Sequence, residues 1–367
     1  MVYRKGEEMR ILNRYILSEY LKIFFFTLTA LTLLFTVVDF FEKVEEFVKF
    51  KASIISIFKY LLFKVPLFIH FMVPMAILLA TVICMGILSR HNEITAMKAC
   101  GMGLHRFTMP ILTTTAVISF FVFLNSEYIL PITNRITNHT FRVDIKKQEE
   151  RGIYQKNRMW YRSENGNIWN IDLFDAQAGT LIGVSIFKFH NGRLKERIDC
   201  GHAKWTGTEW LFSGGWVRNF DEEGSFNSEY FENRVFPLPE KPADFMTISV
   251  APEEMGFQEI REYIKKIKRE GLDATRHIVD MHIKLSFPAI AFIMALIGIP
   301  FSIRTGRQGG FTVGVGLSVV IGFVIWFIFS MGVSLGHAGK LPPFISAWGA
   351  NIIFTAGGFY FLTTSRQ

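Results

Sequence analysis

The chain has 367 residues, half of them hydrophobic, including 38 Phe, and a formal net charge of +8. Runs of about 20 apolar residues recur along it, enough to cross a bilayer, so a water-soluble globular protein is excluded. The basic excess lies in residues 1–130 (13 Lys+Arg against 9 Asp+Glu) and 257–367 (11 against 5), while 131–256 has 16 against 18; this fits anionic head groups or membrane orientation, and no basic-aromatic groove pattern supports a nucleic-acid partner.

Met9–Lys22 interleaves Arg10, Arg14, Glu19 and Lys22 with Ile11, Leu12, Tyr15 and Ile16, an amphipathic lead-in suited to a membrane surface. It feeds a first span at about 17–38, too long for a signal-peptide core and without a small-residue cleavage site after it. In the polar DFFEKVEEFVKFK that follows, acids and lysines alternate as in a solvated helix end. The second span, about 58–88, contains Pro66 and Pro74 and is expected to kink or tilt. The charged segment SRHNEITAMKACGMGLHR (89–106) separates it from a third span at about 107–127.

Beyond this the pattern changes. Short alternating runs such as NIWNIDLF, TLIGVSIFKF and WVRNF sit between turn signals at 164–166, 190–192, 206–208, 213–215 and 221–224. They predict eight to ten strands in a jelly roll or curved sandwich. FQEIREYIKKIKREG reads as a helix ending at Gly271, and further spans follow at about 278–301, 311–335 and 343–363. The fold class is thus an α+β membrane protein: six transmembrane helices in two sets of three with an inserted β-jelly-roll-like domain. The boundaries are 1–130 for the lead-in and first three spans, 131–256 for the β domain, and 257–367 for the connecting helix and last three spans. Loop basic residues put Arg4, Lys5, Arg10, Arg14, Arg90, Lys98, Arg106, Arg304, Arg307 and Arg366 on one side, against Lys43, Lys49, Lys51 and Lys340 opposite. The positive-inside rule then makes both termini and the 89–106 segment cytoplasmic and the β domain external.

Enzymatic constellations are missing. The sequence has no GxxxxGK[ST] and no HExxH. His277 and His282, five apart, do not share a helix face as zinc ligands would. His139 falls in an NHT sequon by pattern only. Cys84, Cys100 and Cys200 form neither a disulfide framework nor a CxxC site. TVGVGLSVVIG (312–322) reads as small residues that let membrane helices approach closely. No cofactor or metal is expected. In span four, Asp280 and Lys284 are four apart and are expected to neutralise one another. An ion-coupled carrier would show buried mid-span carboxylates, which the span centres lack.

In the 89–106 segment, Ile94, Met97 and Leu104 form a narrow apolar stripe flanked by Glu93 and Lys98, and Gly101 and Gly103 end the helix. A connector needs only to be short and polar; an amphipathic helix along the membrane face is suited to docking in a partner's groove. Glu93 has the charge to bind an Arg or backbone amides there.

RHNEITAMKACGM, HIKLSFPAIAFIMALIGIPF (282–301) and GHAGKLPPFISAWGANIIF (336–354) resemble the permease family of lipopolysaccharide export, LptF/LptG. The resemblance covers nearly the whole chain. It implies a non-enzymatic subunit of an ABC transporter in the bacterial inner membrane, with the β domain periplasmic. It also implies a paralogous permease, an LptB-type ATPase dimer, the periplasmic bridge proteins LptC and LptA, and lipopolysaccharide as cargo. By the resemblance, the helix within 90–104 is the coupling helix; Glu93 meets the ATPase, with Ile94, Met97 and Lys98 around it. A basic rim for the lipid's phosphates is implied as well. The candidates are Lys43, Lys59, Lys64, Arg135, Arg142 and Lys146, with snorkelling or pairing to Asp39, Glu42 or Glu127 as the alternative. Trp160, Trp169, Phe187 and Phe189 are candidates to line an apolar lipid path in the β domain, or to be its ordinary core. A mechanotransmitting subunit that regulates a periplasmic partner without moving lipid is the rival function.

Overall fold

The computed structural model describes residues 2–147, 159–163, 166–175, 178–190, 193–221, 225–242, 245, 252–269, 273–306 and 311–364. The turn signals at 164–165, 191–192 and 222–224, the helix stop at Gly271, and Arg307 and Arg366 lie outside the described residues. The chain divides into two compact units, Met1–Phe141 with Thr275–Gln367, and Arg142–Ala274.

In the first unit, α1 (Val2–Lys49) is one continuous helix. The lead-in, the first span and the polar segment after it are therefore a single element, because no proline interrupts them. It stops where Lys51 adopts φ 48° and the Ala52 N–H bonds the Phe47 carbonyl, a left-handed cap on a non-glycine residue. α2 (Ile54–Arg90) starts at Ser53, whose side chain accepts from the Ser56 N–H, and carries Pro66 and Pro74 inside. A short α3 (Glu93–Ala99) leads to α4 (Leu104–Leu124). The helix then passes through a π segment (Asn125–Ile129), α5 (Leu130–His139) and a second π segment (Thr140–Ile145). The third span was expected to end near 127; its helical path runs to Ile145.

Among the described residues, six helices are long and apolar enough to cross a membrane. The last three are α7 (Thr275–Gly306), α8 (Phe311–His337) and α9 (Pro343–Thr364), preceded in the second unit by α6 (Phe257–Arg269). Burial ranks them. In the apolar windows of α2 and α7, 72% of the residues are buried, against 17% in α1 and 28% in α8. α2 and α7 therefore form the centre, while α1 and α8 turn Phe25, Phe26, Leu33, Phe323 and Phe327 outward. The inner stripe of α1 is Ile16, Tyr20 and Phe24, at i, i+4 and i+8, and it packs with Ile77, Met85, Ile111 and Ala291.

The second unit is built on a six-stranded antiparallel sheet: β1 (Met159–Arg162), β2 (Ile168–Asp175), β3 (Thr180–His190), β4 (Arg193–Trp205), β5 (Trp210–Phe220) and β6 (Phe226–Phe236), paired in sequence order. Among the described residues there are six strands where eight to ten were expected. The SGG at 213–215, read as a turn, lies inside β5. Its Gly214 has φ +62° and marks an irregularity, not a chain reversal. One face packs around Trp169, Trp210, Phe212 and Phe245.

Simple alternation fails in the same place on four strands. The buried positions step by three from Ile171 to Phe174, Leu181 to Val184, Cys200 to Ala203 and Phe212 to Gly215. Each strand thus presents two successive residues outward along a line crossing β2–β5, and the inward face resumes beyond it. Gly183, also at φ +62°, sits on this crease, where an added Cβ would meet the Asp172 carboxylate at 2.3 Å.

Candidate functional site

Two polar clusters lie on α1. Tyr15 belongs to one and Asp39 to the other. At about 1.5 Å per residue they are about 36 Å apart along the helix, more than the roughly 30 Å of a bilayer's hydrocarbon core.

The first cluster surrounds α3. α2 ends at Arg90, and Asn92 takes the left-handed conformation (φ 58°), so the chain reverses and restarts as helix within two residues. Gly101 (φ +77°) closes α3, with the Met102 N–H bonded to the Met97 carbonyl. Ile94 and Met97, three apart, are each 6% exposed and belong to the same core as α1, α2 and α4. They anchor the helix inward. Its outward surface is Thr95, Ala96 and Ala99, with Lys98 half-buried and Cys100 exposed. The Glu93 carboxylate accepts a long hydrogen bond from the Tyr15 hydroxyl of α1 at 3.3 Å and lies 3.8 Å from His91 Nδ1. Its side chain is one-third exposed. The outward face of α3 is therefore small and flat, with a partly tethered carboxylate at its start.

The second cluster joins α1, α2 and the π segment after α5. Lys64 Nζ lies 2.5 Å from Asp39 Oδ1 and also donates to the Tyr60 hydroxyl. Both charged side chains are largely buried, at 17% and 11% exposure. The ammonium also sits over the Tyr60 ring at 4.8 Å and the Phe68 ring at 5.6 Å. Tyr60 packs against Phe47 (5.9 Å) and Phe141 (5.3 Å), and Lys43 stands over the Phe141 ring at 5.5 Å. Pairing and cation–π contact offset the desolvation of an ammonium at this depth. Of the rim candidates, the structure brings Lys43 and Lys64 together on one aromatic cluster. Lys59 is half-buried on α2 and Arg135 is exposed on α5; Arg142, exposed, and Lys146, half-buried, belong to the second unit.

Tyr15, Tyr60 and Phe141 were not among the sequence candidates. Tyr60 had a signal, since it is four residues before Lys64 on one helix face. Tyr15 had none, because its partner is 78 residues away. Of the aromatic lining candidates, Trp169 is wholly buried in the sheet's core, whereas Trp160 is 54% exposed and stacks on Phe187 on the opposite face; Phe189 is exposed as well. Asp280 of α7 bonds His337 Nε2 of α8 at 2.8 Å, and Lys284 donates to the Ser126 carbonyl at 3.2 Å. Among the described residues no group of three or more His, Cys, Asp or Glu side chains is arranged to hold a metal.

The family model described as lipopolysaccharide export system permease LptF/LptG matches residues 14–364. The chain is similar to the lipopolysaccharide export system permease protein LptG of Escherichia coli (strain K12), 20% identical over 344 residues that cover 92% of this chain and 93% of that protein. It is also similar to the protein of the same name from Haemophilus influenzae (strain Rd), 24% identical over 330 residues and 87% of each chain.

Proposed function

Because the chain belongs to the lipopolysaccharide export system permease LptF/LptG family and is a multi-pass inner-membrane protein, we propose that it is the membrane subunit of an ATP-driven exporter that lifts lipopolysaccharide out of the inner membrane. In this reading it pairs with a paralogous permease and sits on an LptB-type ATPase dimer. Both termini and α3 face the cytoplasm, the sheet unit is periplasmic, and the lipid passes to the bridge proteins LptC and LptA. The exposed apolar faces of α1 and α8 are the surfaces available to the paralogue and to the lipid.

The energetics require a partner. At about 0.8 kcal/mol for each CH₂ brought into water, a multi-chain lipid does not leave a bilayer unaided. The anchoring of α3 supports the coupling role. Ile94 and Met97 are set in the core shared by α1, α2 and α4, so a push on the outward face of α3 moves the bundle and not a loose loop. Glu93 and Lys98 supply the polar contacts to the ATPase, and Ile94 and Met97 transmit the displacement. Lys43, Lys59, Lys64 and Arg135 of the first unit, and Arg142 and Lys146 of the second, are the basic residues assigned to the lipid's phosphates.

Co-purification and lipid release in proteoliposomes test this reading. Glu93→Ala is expected to lower ATPase retention and lipid release by about 10-fold or more, the scale of a charge-assisted hydrogen bond, with insertion unchanged. Wild-type release by a correctly inserted Glu93→Ala protein overturns Glu93 as the coupling contact.

A further inference from the structure

The face of the sheet opposite its core carries a second pattern, which neither coupling nor the basic rim uses. Register aligns Trp160, Asn170, Ser185, Asp199, Trp216 and Tyr230 in one row, a residue from each strand. Trp160 and Trp216 are 54% and 45% exposed. Between them lies an open groove of about 490 Å³. Its centre is held by a network: Asp199 accepts from Ser185 Oγ (2.6 Å), from Arg197 Nε and Nη2 (3.0 and 2.9 Å), and from Arg218 Nη1 (2.5 Å). Arg197 is further fixed over the Phe187 ring at 5.0 Å, and Phe187 stacks on Trp160 at 6.0 Å. On the other flank, Trp216 meets Tyr230 edge-on at 5.2 Å.

We propose that this groove between Trp160 and Trp216 binds a saccharide chain. A sugar ring has an apolar C–H face that stacks on an aromatic platform and an equatorial rim of hydroxyls that both donate and accept. The groove offers both in alternation. There is an indole at each end, with an amide (Asn170), a hydroxyl (Ser185) and the Arg197 guanidinium between them, and Arg218 bonded to Asp199 beside the groove. Arg197 uses two of its five N–H groups on Asp199, and Arg218 uses one, so donors remain for a ligand. The geometry sets the length. Trp160 and Trp216 stand four strands apart, about 19 Å at roughly 4.8 Å per strand. One ring sandwiched between two aromatic platforms spans only about 9–14 Å. The two indoles therefore stack separate sugars of one chain, with the Asp199 network beneath the residues that join them.

The pattern discriminates against other occupants. A protein interface is depleted of charge at its centre, and here the charged network is the centre. A bilayer-binding face would be continuously apolar with a basic border. The source of the saccharide rests on the permease reading: it is the glycan of the exported lipid, held on this face of the sheet during transfer.

The test uses the full-length chain in lipid nanodiscs, with lipid-free oligosaccharide released from lipopolysaccharide by mild acid hydrolysis as the probe and tryptophan fluorescence and calorimetry as readouts. Saturable binding is expected, weakened about 10-fold by Trp216→Ala or Trp160→Ala and little changed by Trp216→Tyr, which keeps a platform. Retained near-ultraviolet dichroism from the buried Trp169 and Trp210 confirms that each variant is folded. No binding by the wild type, binding indifferent to both alanine variants, or complete displacement by inorganic phosphate overturns the proposal. If the wild-type chain binds intact lipopolysaccharide but not the free oligosaccharide, the saccharide site falls and the permease reading stands. If it binds neither, both fall.

Discussion

Lys284 of α7 donates to the main-chain carbonyl of Ser126 at 3.2 Å, and that carbonyl needs an outside donor for a reason written in the sequence. In the π segment the Leu130 N–H bonds the Asn125 carbonyl, five residues back. The next bond in that register would come from residue 131, which is Pro131 and has no N–H. A lysine from another helix thus completes a backbone bond that a proline leaves open. Lys284→Met is expected to destabilise the protein by about 1–3 kcal/mol, the effect of stranding a buried acceptor. Pro131→Ala in that background should recover part of the loss. Thermal unfolding in detergent reads both.

The Asp39–Lys64 pair gives a second expectation. Lys64→Met or Asp39→Asn alone leaves a largely buried partner uncompensated and should reduce stability by about 3–5 kcal/mol. The double replacement Asp39→Leu with Lys64→Met should restore most of it. Lipopolysaccharide binding by the double variant then separates a structural lysine from a phosphate ligand: a loss of binding with stability restored assigns Lys64 to the lipid.

Gly336 permits the approach of α8 to α9. A Cβ there would lie 2.3 Å from Ser346 Oγ and 2.5 Å from Ser346 Cβ, closer than real contacts allow. Gly336→Ala is expected to cost about 1–3 kcal/mol by overpacking, and Ser346→Gly in the same chain should relieve it. Unfolding midpoints of the single and double variants decide the matter.

The three cysteines report orientation without added labels. Cys100 is exposed next to α3, whereas Cys84 and Cys200 are buried. Burial pushes the Cys200 thiol up to about 12, so at pH 8 it is almost wholly in the unreactive protonated form, and it stays so until the pH approaches that value. A maleimide should therefore label the native protein at Cys100 alone. With α3 cytoplasmic, a membrane-impermeant maleimide added to intact cells should leave Cys100 unlabelled and should reach it in inverted vesicles. Labelling in intact cells would reverse the topology.

Much of this architecture was legible in the sequence, because hydropathy alone marks six spans and alternation alone marks a sheet. What escaped has identifiable causes. The helical continuation to Ile145 buries Leu130, Asn134, Thr137 and Thr140, a 3–4 spacing in which most inward residues are polar, so hydrophobic periodicity gave no signal. The glycine run at 312–322 was read as a close-packing stripe; Gly322 does meet Met75, but Gly316 faces open space, and the tight contact at Gly336 lies beyond the run. In β5 the SGG at 213–215 reads as a turn but marks a crease, and in β3 Gly183 marks one that the alternating pattern does not signal. For the candidate site, the spacing of Ile94 and Met97 marks an apolar stripe on α3, but the pattern suits it to a partner's groove, whereas both side chains are buried in the chain's own core. The Tyr15 contact gave no signal, since long-range pairing is set by helix packing and not by local pattern.

The unbroken course of α1 has a mechanical consequence. Tyr15, beside Glu93, and Phe47, beside Tyr60, sit on one rod with no proline hinge between them, about 48 Å apart at 1.5 Å per residue. Pivoting that rod about its Tyr15 end by about 5° sweeps Phe47 sideways by about 4 Å, so a small rocking at α3 becomes a displacement of nearly one atom-to-atom contact distance at the far end.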